Sequence, residues 1–214
     1  MAALEVVRDH QLVVPLTDLA KGSIMKTKAP KKEAPQAYAS CTYDSPVGTL
    51  TLAAGDDGLK GLWLDGQKYF AGTLDAPMEE APSRHLDAAC AWLDDYFDGK
   101  DPSLDSLVLA PNGSEFQKVI WQLLCEIPLG STRTYGELAR GAAPRMGKKT
   151  MSAQATGGAV GHNPISIIIP CHRVVGATGS LTGYAGGISR KLKLLEHEGV
   201  DCSGFFVPAR STAP

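Results

Sequence analysis

Ile165-Ser166-Ile167-Ile168-Ile169-Pro170-Cys171-His172-Arg173-Val174-Val175 is the stretch on which the fold and the chemistry both turn. Its isoleucines and valines favour a buried, extended backbone. Pro170 has no N–H to give to a ladder, so a strand is expected to stop there. The Cys171 thiol then lies where an apolar strand breaks open, with an imidazole and a guanidinium beside it. Nearby positive charge lowers a thiol's pKa and favours the reactive thiolate. Taken alone, such a cysteine reads as a small core hydrophobe with His172 and Arg173 facing water; the flanking residues are what change that reading.

The bounds set by composition are those of an ordinary globular protein. The chain has 214 residues, of which 43% are hydrophobic and 21% charged, enough for one large or two small cores. Its apolar runs are too short to span a bilayer, and the N-terminus shows no secretory pattern. The five cysteines (Cys41, Cys90, Cys125, Cys171 and Cys202) are odd in number, widely spaced and without a Cys-x-x-Cys pair. That excludes a disulfide framework or cysteine-rich zinc site and points to a reducing compartment, the cytoplasm, or the nucleus in a eukaryote. The overall charge of −2 divides into −7 for residues 1–111 and +5 from residue 112 onward. Such a division suits a polyanion held by the C-terminal half, or is uneven surface decoration.

Along the chain, residues 1–36 read as a flexible extension or leader, with a short strand near Leu12–Pro15, a lysine-bearing linker and Met25 as an alternative start. Residues 37–111 form a first domain. Strands flank a Ser45-Pro46 turn, a third follows Asp56-Asp57-Gly58, and it puts Leu59, Gly61 and Trp63 on one face and Leu62 and Leu64 on the other. Ser83 caps a helix to Phe97 whose apolar spacing is helical. Residues 112–202 form a second domain, followed by a tail, 203–214. Ser114 caps a helix containing Phe116, Val119, Ile120, Leu123 and Leu124. Thr134 and Glu137 have capping-box spacing. The helix they open, and a second at Ser152–Gly161, have the form of a helix-turn-helix. The Gly157-Gly158 pair inside the second helix serves either close helix packing or a smooth face for a DNA groove. Ser189–His197 is a basic amphipathic helix with Leu192, Leu194 and Leu195 inward.

Asn163-Pro164, Pro170-Cys171-His172-Arg173-Val174, Gly183-Tyr184-Ala185-Gly186-Gly187 and Glu196-His197-Glu198-Gly199 together resemble the O6-alkylguanine-DNA alkyltransferase family. The resemblance covers roughly residues 42–200 and is strongest after residue 114. It implies an α+β architecture: a small ribonuclease-H-like N-terminal domain, then a mainly helical, winged-helix-like C-terminal domain with a helix-turn-helix. It also implies direct, single-turnover repair, in which an alkyl group passes from O6-alkylguanine in double-stranded DNA, and from O4-alkylthymine in some relatives, to Cys171. The expected agent is a monomer without cofactor or metal. Zinc-binding relatives use ligands that Cys41, His85 and Cys90 do not reproduce.

By the same resemblance, His172 acts as base through a water and Glu198 orients it, a Cys-His-carboxylate arrangement. Because strand neighbours point to opposite faces, a bridging water rather than direct contact is expected. A carboxylate at the negative end of a helix needs a partner, which a buried imidazolium would supply. Tyr135 donates to the departing base, and Asn163 ties the helix-turn-helix to the cysteine segment. Tyr184 packs on the extruded base, while backbone near Val174 and Ala185 reads its edge. Arg173 braces the two domains. Gln154, Ala155, Gly157 and Gly158 face DNA. Gln154 departs from the family pattern, which places an arginine there to fill the gap left by the extruded base; Arg145, Lys148 and Lys149 are candidates to compensate on phosphates. Two competing readings are a cysteine hydrolase using Cys171, His172 and Glu198, and a damage-binding protein that does not repair. Relatives of the latter kind replace the cysteine. Gln154 also leaves open a preference for free alkylguanines or bulky adducts.

Overall fold

The computed structural model describes residues 37–208, so the extension expected at 1–36 and the last residues of the tail lie outside the described part. The first half is a four-stranded sheet with one helix packed on it. β1 (Tyr38–Ser45) and β2 (Gly48–Gly55) form an antiparallel hairpin, and β3 (Gly58–Leu64) returns antiparallel to β2. The Ser45 hydroxyl donates to Gly48 O and accepts from Val47 N, closing the first turn as the Ser-Pro signal implies. A short strand that the pattern did not reveal, β4 (Met78–Glu80), pairs parallel with β1 and gives the order β3-β2-β1-β4. Ser83 caps α1 (Arg84–Phe97) by accepting from His85 N.

The alternation expected in β3 is broken at one point. Ala53 pairs with Gly61 but Ala54 pairs with Leu59, a bulge that leaves Lys60 as the extra residue. An inserted residue moves everything beyond it to the other face. Leu59 therefore joins Leu62 and Leu64 in the main core, while Trp63 packs alone of the four with Tyr38 and Ala53 on the opposite side.

The second half is helical. α2 (Glu115–Cys125) and α3 (Tyr135–Arg145) each begin with a capping box, Ser114/Gln117 and Thr134/Glu137. Both are fixed by residues three apart, which is why they are visible in sequence. α4 (Ala153–Gly161) is capped by Ser152, and Trp121 of α2 docks onto it by donating to Ala159 O. α5 (Ile188–His197) buries Leu194 and Leu195. One core runs through both halves, from Leu50, Leu62 and Leu93 to Ile120, Ile165 and Leu194. Two short strands, β5 (Arg133–Thr134) and β6 (Val174–Val175), pair in parallel. Part of the expected tail is held: Phe206 bridges to Ser180, and Phe205 packs on the cluster containing Val175 and Leu195.

The expected strand at Ile165–Ile169 is a buried turn instead. Its extended part lasts one residue pair, a parallel bridge between Ile165 and Leu62 of β3. The chain then coils, with Ile168 N bonded to Ser166 O and Ile169 N to Ile165 O. Ile167 has φ +68°, a genuine outlier for a β-branched residue and a store of about 1–3 kcal/mol of strain. A buried turn must satisfy its backbone groups without water. Asn163 does so: its Oδ1 accepts from Ile165 N and its Nδ2 donates to Ile165 O and Ile169 O. Local apolar propensity loses here to one side-chain amide that replaces the missing ladder.

Candidate active site

The turn delivers the cysteine to a 3-10 segment, Cys171–Arg173, that leads directly into β6. Because Thr134 of β5 pairs with Val175 of β6, Tyr135 at the head of α3 is carried next to that segment. Cys171 is only 6% exposed. A cavity of about 550 Å³ has walls that include Tyr135, Tyr184, Gly183, Gly157 and Gln154; Cys171 is not in that wall, but Tyr135 and Tyr184 both lie within its electrostatic reach. The Tyr135 hydroxyl donates to Thr182 O at 2.9 Å. Gly183, at φ +78°, is what admits that hydroxyl: a Cβ there would stand 2.8 Å from it.

Behind the cysteine lies a chain of buried polar groups. His172 Nε2 lies 2.7 Å from Glu198 Oε1. Facing a carboxylate, Nε2 carries the proton, and Nδ1, buried and without a protein partner, is left as an acceptor. Glu198 also accepts from Arg173 Nε at 2.8 Å, Arg173 Nη2 at 3.0 Å and the Tyr96 hydroxyl at 2.8 Å. Burial alone would raise its carboxyl, but the His172 and Arg173 contacts outweigh that and hold it at about 2. Complete burial pushes the His172 imidazole below its ordinary range despite Glu198. The Arg173 guanidinium is thus a second partner that holds Glu198 beside His172, one not expected from the sequence. Arg173 does not brace the two halves. Its remaining donor goes to Ile127 O in the helical half. Side chains that do link the halves include Tyr96 of α1, on Glu198, and Arg190, which donates to Val47 O and Asp65 O.

The thiol differs from expectation in a way that matters for mechanism. Cys171 is pushed up, not down, because burial outweighs every favourable contact. The contacts opposing burial are the Asn163 amide, which donates to Sγ at 3.1 Å, the ammonium of Lys191, and the backbone N–H groups of Cys171 and His172. His172 brings no charge, and Arg173 is spent on Glu198. The resting group is a thiol surrounded by donors ready for a thiolate.

The other expected site residues divide by position. Gln154, Gly157, Gly158, Tyr184 and Ala185 line the cavity, whereas Ala155 and Val174 do not. Val174 O accepts from Lys191 Nζ and Ala185 O from Lys68 N, so both carbonyls are already engaged. Gly157 and Gly158 of α4 are not needed for packing. A Cβ at Gly158 would meet nothing within 4 Å, and one at Gly157 would touch Tyr135 at an ordinary 3.6 Å. Arg145 is held bidentately by Glu126 at 2.8 Å and is not free for a phosphate. The reading of the sequence missed Lys191, whose side chain is fully buried. Its signal was present: Lys191, Leu194 and Leu195 stand at i, i+3 and i+4, on the apolar face of α5.

In the first half, Cys41 and Cys90 face each other with sulfurs 4.0 Å apart, and His85 sits near Asp56 O instead. Among the described residues no three metal-ligating side chains gather, and no helix is long and apolar enough to cross a membrane.

Comparison with known proteins agrees with this geometry. Residues 115–200 match the model of the 6-O-methylguanine DNA methyltransferase DNA binding domain, and residues 40–111 that of its ribonuclease-like domain. The methylated-DNA–protein-cysteine methyltransferase of Methanosarcina barkeri is 44% identical over 157 residues, 72% of this chain and 93% of that protein. Its Mycobacterium tuberculosis counterpart is 45% identical over 158 residues, 73% of this chain and 90% of that protein. The crystal structure of Mycobacterium tuberculosis O6-methylguanine methyltransferase superposes with a TM-score of 0.62 at 40% identity, over 81% of this chain and 96% of that one. The same enzyme in complex with DNA gives 0.62 at 41%, over 76% and 92%. The chain belongs to the methylated-DNA–protein-cysteine methyltransferase family, enzymes that repair alkylated DNA by moving the alkyl group onto a cysteine of their own.

Proposed function

We propose that Cys171 is the acceptor, that the substrate is O6-alkylguanine extruded from duplex DNA, and that each molecule acts once. One observation carries the reading: a buried sulfur that accepts from Asn163, followed in the chain by an imidazole paired with a carboxylate, and within electrostatic reach of Tyr135 and Tyr184 in the cavity wall. A hydrolase site needs the same trio, but here most of the cavity wall, from Tyr135 to Ala185, belongs to the segment matching a DNA-binding domain. A damage sensor that does not repair has no use for the sulfur.

The reaction is a displacement at carbon. Sulfur attacks the alkyl carbon; the S–C bond forms, the C–O6 bond breaks, and its electron pair passes to the purine. The thiol proton leaves through a water to His172 Nδ1, the open acceptor. Glu198, held anionic by Arg173, stabilises the resulting imidazolium. Base catalysis of this kind suits a thiol that burial keeps protonated at rest. Asn163 and Lys191 then stabilise the sulfur anion as it forms. Tyr135, kept protonated by a pKa of about 12, turns its hydroxyl from Thr182 O to the departing base. Gln154 takes the space the base leaves, and the open glycine face of α4 lets the duplex approach. The product thioether has no hydrolytic route, so no turnover follows. Five free cysteines fit a reducing compartment, the cytoplasm.

Intact-protein mass spectrometry after incubation with a duplex containing O6-methylguanine tests this. The mass should rise by one methyl group, mapped to Cys171 and lost in Cys171→Ala. Methylation of another residue, or continued turnover of substrate, overturns the assignment.

A further inference from the structure

Lys68, Tyr69 and Phe70 follow β3 in the N-terminal half, outside the segment that matches the DNA binding domain. Yet Lys68 and Tyr69 stand in the wall of the same cavity as Gln154 and Gly158. The base of this loop is rigid. Buried Gln67 accepts from Leu64 N and from the Ser166 hydroxyl, and Lys68 N donates to Ala185 O. Its tip is not buried: Tyr69 is 45% exposed and Phe70 42%. Tyr69 is held at φ +65°, an uncommon conformation for a bulky side chain that tends to persist where function requires it. That twist lays the ring on His162 at the C-terminal end of α4, centroids 4.0 Å apart and planes 21° from parallel. The His162 ring is itself fixed through Nδ1 at 2.7 Å from Gly158 O. The Lys68 ammonium lies over the Tyr69 ring, 5.1 Å from its centroid.

The cavity floor is buried Tyr184, and its exposed lining is Lys68, Tyr69, Ala153, Gln154 and Gly158. A nucleotide can enter only past that exposed rim. The duplex it leaves must therefore rest on the rim, with α4 on one side and the Lys68–Tyr69 loop on the other. A cation beside an exposed aromatic ring is what the backbone and opened stack of a nucleic acid demand.

Resting on the reading that an extruded base enters this cavity, we propose that the Lys68–Phe70 loop is a second DNA-contacting element, supplied by the N-terminal half. The Tyr69–His162 pair packs against the nucleotide next to the extruded one, and Lys68 takes a phosphate. At position 154 the chain has an uncharged glutamine, and the loop returns a cation to the same rim.

The test compares Tyr69→Ala, Tyr69→Phe and Lys68→Ala with the parent protein. Binding to a duplex containing O6-methylguanine is followed by fluorescence anisotropy across a salt series, and methylation of Cys171 by mass. Tyr69→Ala should weaken duplex binding about tenfold, within the range for loss of a base–aromatic stack, and Tyr69→Phe should restore it. Lys68→Ala should reduce the slope of log affinity against log salt by about one. For both, methylation should slow through the duplex concentration required, with the rate at saturating duplex retained. Parental affinity and salt slope in Tyr69→Ala and Lys68→Ala overturn the proposal. So does an equal loss of reactivity toward free O6-benzylguanine, which marks a purely structural role. If the parent itself fails to methylate Cys171, the catalytic reading has failed, and the loop is still judged by its affinities.

Discussion

Cys171 and the Cys41–Cys90 pair are both cysteine sites whose thiols are pushed up chiefly by burial. What differs is the next influence. Around Cys171 the secondary contacts all favour the anion: the Asn163 amide, the Lys191 ammonium and two backbone N–H groups. Around the pair the two sulfurs act on each other first, their contact easing Cys41 and raising Cys90; the carboxylates of Glu80, Asp87 and Asp94 then disfavour the anion, and Cys90 reaches about 12. Only Cys171 has an imidazole behind it with an unused acceptor nitrogen. Burial by itself makes a cysteine inert. A buried nucleophile requires that the anion, once formed, meet donors and not acceptors.

The sharpest way to break the contrast is to remove the base. His172→Gln should slow methyl transfer by about 10²- to 10⁴-fold, the usual range for a general base, measured by single-turnover mass spectrometry. The two cysteine sites would then differ only in donors. A mild loss would shift the weight of the mechanism to Asn163 and Lys191.

Glu198→Gln should act on stability as well as rate. It leaves the Arg173 guanidinium buried without its counter-charge, which costs about 3–5 kcal/mol, read as a lower urea midpoint. The same carboxylate sets the acid limit of the fold. Its folded pKa of about 2 lies below the ordinary 4.5, so the stability it contributes is complete above pH 4.5 and is lost as pH falls toward 2. Depression of His172 acts in the same direction, beginning below its ordinary 6.5. Acid titration by circular dichroism should show Glu198→Gln lacking the lower of these two losses.

Lys191→Met separates reactivity from stability. The ammonium is buried against carbonyls, Val174 O and Thr182 O, and burial holds it down at about 8. Replacing it with an apolar chain of similar length should leave the melting temperature equal or higher. Iodoacetamide labelling of Cys171 should slow about tenfold at neutral pH, one unit of thiol pKa, while labelling of Cys41 and Cys90 stays as in the parent. The smallest effect is expected at Gln154→Arg. Duplex affinity should rise a few fold at low salt, with the salt slope steeper by about one.

The parts of this molecule that were readable in advance are those set within a few residues. Ser83, Ser114 and Thr134 all cap the helices they precede, because a cap spans only three positions. The adjacency of Cys171 and His172 is covalent. The bulge that moves Leu59 across the sheet was hidden, since its cause lies in pairing with Ala53 and Ala54 on another strand. So was Tyr96, which reaches Glu198 from 102 residues away.

The chain by itself determined that a sulfur, an imidazole and an acid are present, and which helices surround them. It also carried the family signature, because that signature lies in contiguous residues. Tertiary structure alone decided that Ile165–Ile169 coils around the Asn163 amide, that Arg173 joins His172 on Glu198, and that Lys191 turns inward. The reason is that side-chain ionisation and backbone choice in a buried segment depend on desolvation and on partners brought from elsewhere. Neither quantity is written in the local sequence.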